Sequence, residues 1–189
     1  TSIVAALSDG SAVGAHRPLR RIDTHMSHLF LEDRRVFKLK RAIRHPFADM
    51  SALDARRAAC EAELAVNARL APGLYEGVLP VVQNPRGEIR VGGAGEAVDW
   101  VVVMRRFPDG ALLSEMAKAK TLTPDVIEHA VAAVGAFHAA QPPTTLSGRT
   151  IDYQRILSGL RETEAQGAAA HGIAPPRHHL FATLDQSLE

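Results

Sequence analysis

The chain has 189 residues, 46% of them hydrophobic and 23% charged, enough length and apolar content for a globular protein with a buried core. With 22 Lys and Arg against 21 Asp and Glu, the formal net charge of +1 predicts no general attraction to nucleic acid or to a membrane surface. No apolar run approaches the length of a membrane span, no secretory signal is visible, and the single cysteine, Cys60, has no disulfide partner within the chain, which together fit a reducing cytoplasm.

Residues 1–21 are interrupted by Gly10, Gly14 and Pro18 and predict a short helix or strand followed by a loop. Residues 22–31 read as a strand, a tight bend and a second strand. The bend is Asp23-Thr24-His25-Met26-Ser27 and contains no glycine. Its histidine is expected at an ordinary polar surface, and no pair of potential ligands has metal-binding spacing, so no metal site is expected. Residues 34–41 then form a strand in which Phe37 and Leu39 face one side while Val36, Lys38 and Lys40 face the other. That strand has an apolar back and a lysine-bearing front. The basic cluster Arg34, Arg35, Lys38, Lys40, Arg41 and Arg44 is local and nearly free of aromatics that stack bases, which argues against nucleic acid as a partner.

Residues 41–50 are expected to connect this strand to a long helix at 51–70, with Pro46 stopping the strand, Ser51 as N-cap and Asp54 in the capping-box position. At about 100° per residue, Leu53, Cys60, Leu64 and Asn67 fall on one line, flanked by Ala59, Val66 and Leu70. Glu63 projects into that apolar arc, where an unpartnered carboxylate is costly. Its partner is either a lysine of the strand or an arginine of its own helix. Glu61 lies on the rim and should see water, and Lys40 is expected in solvent as well. Cys60 faces the core, where thiols are inert.

Beyond the helix, residues 78–82 predict a strand, Asn84-Pro85-Arg86-Gly87 a β-turn and residues 88–91 the return. Gly92-Gly93-Ala94-Gly95 precedes a strand and lacks the lysine of a phosphate loop, so it reads as a hairpin loop. Residues 98–104 are mostly apolar and read as a central strand buried on both faces. Pro108 and Gly110 break it before a helical segment at 111–120. Thr123 and Pro124 then open a helix whose apolar stripe is Val126, Ile127, Ala130, Val131, Val134, Phe137 and His138. His138 is expected at the core or rim of that helix, without a catalytic role. Pro142-Pro143 stops it, a more polar helix is expected at 151–170, and Pro175-Pro176 leads into a tail.

The order of Asp23-Thr24-His25-Met26-Ser27, Val36-Phe37-Lys38-Leu39-Lys40, Cys60-Glu61-Ala62-Glu63-Leu64, Val103-Met104-Arg105-Arg106-Phe107-Pro108 and Ala136-Phe137-His138-Ala139 resembles the aminoglycoside-phosphotransferase-like branch of the protein-kinase-like fold, and in particular bacterial proteins of that branch with a P-loop ATPase domain downstream. The resemblance covers residues 22–140. It implies an α+β protein in which a small antiparallel-sheet lobe with one long helix (1–104) passes through a hinge (105–110) to the first helices of an incomplete helical lobe (111–189). It also implies that Val36 lies over adenine, that Met104, Arg105, Arg106 and Phe107 hold adenine through backbone groups, and that Lys38 reaches the phosphates opposite Glu63. Ser27 and His25 would lie where such folds cover the phosphates. Lys40 competes with Lys38, but choosing it would set Lys38 where adenine needs an apolar wall.

The family's His-Gly-Asp catalytic segment and its metal-binding Asn and Asp are not found after Phe137-His138. The expectation is therefore the ATP-binding half of a phosphotransferase acting on an unidentified hydroxyl-bearing small molecule or protein, with ATP and Mg²⁺ as cofactors and the Mg²⁺ ligands outside this chain. The alternative is a non-catalytic nucleotide-binding or protein-interaction module built on the same lobe.

Overall fold

The computed structural model describes residues 2–45, 48–142 and 156–162. The chain divides into two compact units, Thr1–Ala140 and Gln141–Glu189. Of the second, a helix at 156–162 is described. The remainder of the helix expected at 151–170, and the tail after it, lie outside the described residues.

The first unit is α+β. Its strands are β1 (Arg20–Asp23), β2 (Ser27–Leu31), β3 (Arg35–Lys40), a two-residue pair β4 (Arg44–His45) and β5 (Ala48–Asp49), then β6 (Tyr75–Gln83), β7 (Ile89–Val91) and β8 (Glu96–Arg105). Its helices are α1 (Ile3–Ser8), α2 (Leu53–Leu70), α3 (Leu113–Lys118) and α4 (Pro124–Ala139). Six strands make one antiparallel sheet in the order β1-β2-β3-β8-β6-β7. As its apolar run predicts, β8 is interior, and Val101, Val102 and Val103 are buried.

The two faces of the sheet are covered differently. On one, Phe37 and Leu39 of β3 join Phe30, Val81, Val101 and Val103 beneath Ala6, Leu7, Ala12 and Leu19 of the N-terminal segment. Phe30 and Leu7 are wholly enclosed, and burying a side chain of that size contributes about 1.5–3 kcal/mol. The segment that the sequence left as helix or strand is thus a short helix capping the apolar back of the lysine strand. On the other face lies α2, whose Cys60 is buried and donates its thiol to the Trp100 carbonyl of β8 at 3.9 Å.

Four local expectations are corrected. Ser51 does not cap α2: its hydroxyl and its N–H both donate to Asp49 Oδ1 at 2.5 and 2.9 Å, and the helix opens at Leu53 with Ala52 in the cap position. The connector before it carries the β4–β5 ribbon, closed by Arg44 on Asp49 at 2.8 Å. Gly92 to Gly95 is not a hairpin loop, because β7 and β8 lie on opposite sides of β6 and the loop carries the chain across that strand. Glycine is needed there, since Gly92 and Gly93 adopt φ of 75° and 87°, and a Cβ on Gly95 would stand 3.1 Å from both Val82 Cβ and the Gln83 carbonyl oxygen. Finally, most of the apolar stripe of α4 is exposed, with Ile127 at 47%, Val131 at 65% and Val134 at 44%, and His138 is exposed too. Phe137 is half-buried and lies 5.8 Å from the guanidinium of Arg69 on α2.

Candidate functional site

Strand alternation sets Val36, Lys38 and Lys40 on the face that α2 covers. Glu63 lies two turns from the C-terminal end of that helix, on the same side as Cys60, and its side chain is only 10% exposed. Each carboxylate oxygen has its own lysine. Lys38 Nζ donates to Oε1 at 2.7 Å and Lys40 Nζ to Oε2. The partner of Glu63 is thus the strand and not an arginine of its helix, and both lysines share it.

Lys40 departs from expectation, since its side chain is 12% exposed against 25% for Lys38. The reason is register: Lys40 stands opposite Ser27 of β2, which is 1% exposed, so the strand end is enclosed where solvent was expected. Glu61 behaves as predicted, exposed and paired with Arg57 at 2.8 Å. Arg57 in turn lies 4.6 Å over the Trp100 ring.

The electrostatics of the cluster follow from these contacts. Burial pushes the Glu63 carboxyl up, but hydrogen bonds and charge from Lys38 and Lys40 outweigh it and hold the group below the usual carboxylate range. Two ammonium groups on one carboxylate leave a surplus positive charge in a partly enclosed place. Burial pushes the neighbouring Cys60 thiol up to about 11, and burial, aided by the charge of Glu63, also raises Tyr75 of β6.

The bend before β2 is built from side-chain and backbone bonds in place of glycine. Thr24 N–H and Oγ1 donate to the Ser27 carbonyl at 2.8 and 3.0 Å, and Ser27 N–H donates to Thr24 Oγ1 at 3.0 Å. Arg41 clamps it from behind, its guanidinium donating to the Thr24 and His25 carbonyls and its N–H to the Met26 carbonyl. The His25 ring lies 4.4 Å from that of His45. Among the described residues, the His25 and Met26 N–H groups donate to nothing, whereas the Ser27 N–H is taken.

At the other end of the strand, Val36 pairs with Met104 and is 6% exposed, without belonging to the apolar cluster on the sheet's back. The Arg105 N–H donates to the Leu74 carbonyl and the Arg106 N–H to the Arg34 carbonyl, both at 2.8 Å. The Arg106 guanidinium holds the Glu32 carbonyl and Asp109. Phe107 is 45% exposed, and its N–H donates to no described residue. The strand and its exit thus bring Val36, Lys38, Lys40 and Met104 onto one face with Glu63, while Ser27 is closed off.

Sequence reasoning missed a second charged contact beside this cluster. Arg56, one helical turn before Cys60 on the same face, donates from Nε to Asp99 Oδ1 at 2.9 Å, with both residues 7% exposed. Arg56 also donates to the Met50 and Ser51 carbonyls, and Trp100 N–H donates to Asp99 Oδ1. A lone aspartate within the apolar run of β8 was the available signal, since a buried acid demands a cation. Among the described residues no group of three or more His, Cys, Asp or Glu is placed to hold a metal ion, and no helix is long and apolar enough to cross a membrane. No family model matches the chain, and neither a curated protein nor a solved structure matches it.

Proposed function

We propose that this chain is the ATP-binding part of a phosphotransferase of the aminoglycoside-phosphotransferase-like type, acting on a hydroxyl-bearing small molecule or protein. The observation that carries the reading is the shared carboxylate. Lys38 and Lys40 on Glu63 leave one uncompensated cation facing a sheet surface, which is the charge and donor set a phosphate requires. The N–H groups of His25 and Met26, which donate to no described residue, add neutral donors of the kind that approach phosphates in such folds. The Phe107 N–H, which donates to no described residue, suits one edge of an adenine ring. In this reading Lys38 orients the phosphates, Glu63 orients Lys38, and the proton and Mg²⁺ chemistry of transfer is carried by groups outside the described residues.

A second reading, a non-catalytic or protein-interaction module that keeps the lobe as scaffold, is favoured by the closure of Val36 and Ser27, at 6% and 1% exposure. Calorimetric titration with a non-hydrolysable ATP analogue and Mg²⁺ separates the two. The nucleotide reading expects saturable binding that Lys38→Met weakens by about tenfold or more, equal to about 1.4 kcal/mol. Absence of binding to the folded wild-type chain overturns it in favour of the scaffold.

A further inference from the structure

We propose that the cleft at the end of β3, where the apolar back of the strand meets α1, is a binding site for a small organic carboxylate with an aliphatic body. The cleft holds about 370 Å³, at the small end of the range for ligand sites. Ile3 and Val4 of α1, Leu39 of β3 and Ile43 of the connector give it apolar walls. Lys40 and Arg41, the next residues after Leu39, bring two cations to its border. The proposal stands apart from the nucleotide reading, because α1 and Leu39 belong to the face of the sheet opposite Glu63.

The charges around the cleft do not balance. Lys40 spends one of its three N–H donors on Glu63, which Lys38 shares, and two are left. The Arg41 guanidinium donates through Nη1 to the Thr24 and His25 carbonyls, both at 3.2 Å, and among the described residues it has no carboxylate partner. Its Nε–Nη2 edge is thus available as the planar fork that takes a carboxylate through two parallel bonds. The nearby acids are already matched. Asp99, which also lines the cleft, is held by Arg56, and Asp23 is held by Arg21 and His28. One carboxylate, Glu63, answers both lysines, so the cleft keeps a surplus of positive charge and favours an anion. The walls then select the kind of anion. A phosphate turned toward aliphatic side chains loses hydration with no donor to replace it, whereas an aliphatic carboxylate carries its charge at one end and leaves an apolar body for the walls.

The experiment is titration of the full chain with isovalerate, isobutylamine and inorganic phosphate, followed by ligand-observed saturation-transfer NMR. Isovalerate is expected to bind saturably with a Kd of about 1 mM or tighter, the amine not to bind, and phosphate to bind at least about tenfold more weakly. Arg41→Gln, which keeps an amide donor without charge, should weaken isovalerate by about tenfold or more. Because Arg41 also clamps the bend before β2, a second variant is needed: Ala42→Trp sets bulk at the exposed rim of the cleft and should abolish binding with the bend intact. Absence of saturable isovalerate binding by the folded wild type overturns the proposal. So does phosphate binding as tightly as isovalerate, which would mean a general attraction for anions. Undiminished isovalerate binding by folded Ala42→Trp places the ligand elsewhere and overturns it as well.

Discussion

Arg56 reaches from the first turn of α2 to Asp99 in the middle of β8, Nε to Oδ1 at 2.9 Å, with about nine-tenths of each side chain out of water. The guanidinium also takes the Met50 and Ser51 carbonyls, so one side chain ties the helix entry, the preceding loop and an interior strand together. Removing one member of a buried pair leaves the other charge uncompensated and costs about 3–5 kcal/mol. Arg56→Leu is therefore expected to lower stability by about that amount in urea unfolding. Adding Asp99→Leu should recover part of the loss. A cost under about 0.5 kcal/mol for Arg56→Leu, the range of ordinary surface substitutions, would show that the pair is solvated in practice.

The lysines on Glu63 predict the opposite pattern, redundancy in place of dependence. Lys38→Met or Lys40→Met alone leaves Glu63 one ammonium partner, and each should cost about 1 kcal/mol or less. Together they strand a carboxylate that is 10% exposed, and the double variant should lose about 3–5 kcal/mol at neutral pH. The excess over the sum is the coupling, about 1–3 kcal/mol when each single loss is about 1, as for groups sharing a partner. Because the folded Glu63 carboxyl is held below its ordinary value of 4.5, its contribution is complete above that value and lost as pH falls through the lower folded one. In the double variant this acid-side loss should vanish. Additive single losses would mean that the lysines do not share the carboxylate.

The period-2 alternation of residues 34–41 made the two faces of β3 legible, because a strand offers its side chains no third direction. The apolar run of β8 identified an interior strand for a similar reason: both faces must be covered. Helical spacing placed Glu63 correctly, yet it hid Arg56, since an arginine on a buried face looks like an error until its acid is located on another strand. Val66 and Leu70, assigned to the apolar arc of α2, are 56% and 42% exposed, because its buried line runs through Leu53, Arg56, Cys60 and Glu63. The crossover at Gly92 to Gly95 was illegible for a different reason. Turn chemistry reports local backbone shape, and a glycine run looks the same whether the next strand pairs with the last one or with its neighbour.

That crossover supplies a graded test. At Gly93, φ is 87° and nothing lies within 4 Å of where an added methyl would stand, so Gly93→Ala meets backbone strain alone, about 1–2 kcal/mol. Gly95→Ala adds a steric conflict with Val82 and the Gln83 carbonyl at 3.1 Å. The Gly95 variant should be the less stable of the two by about 1–3 kcal/mol, the usual cost of overpacking, with an unchanged denaturant slope. Equal losses at the two positions would place Gly95 away from β6 and argue against the crossing.

The Cys60 thiol gives the last prediction, on the alkaline side. Burial first, then the charges of Glu63 and Asp99, raise its pKa from 9.0 to about 11 in spite of the opposing Lys40 and Lys38. Below pH 9 the thiol is protonated in both folded and unfolded chains and contributes no pH dependence. Between 9.0 and about 11 the unfolded chain releases the proton and the folded chain retains it, so stability falls as pH rises through that window. A shift of this size corresponds to about 2–3 kcal/mol at its limit. Other groups of the protein also change charge at alkaline pH, so the measurement is a difference: the stability of wild type minus that of Cys60→Ala, followed by urea unfolding from about pH 8 to about pH 11. The difference should shrink steadily across the window, and a disulfide-exchange reagent at pH 8 should react with Cys60 only as fast as the protein opens. Rapid reaction in the native state, or a difference that stays flat with pH, would place Cys60 at an accessible surface and pull α2 away from the sheet.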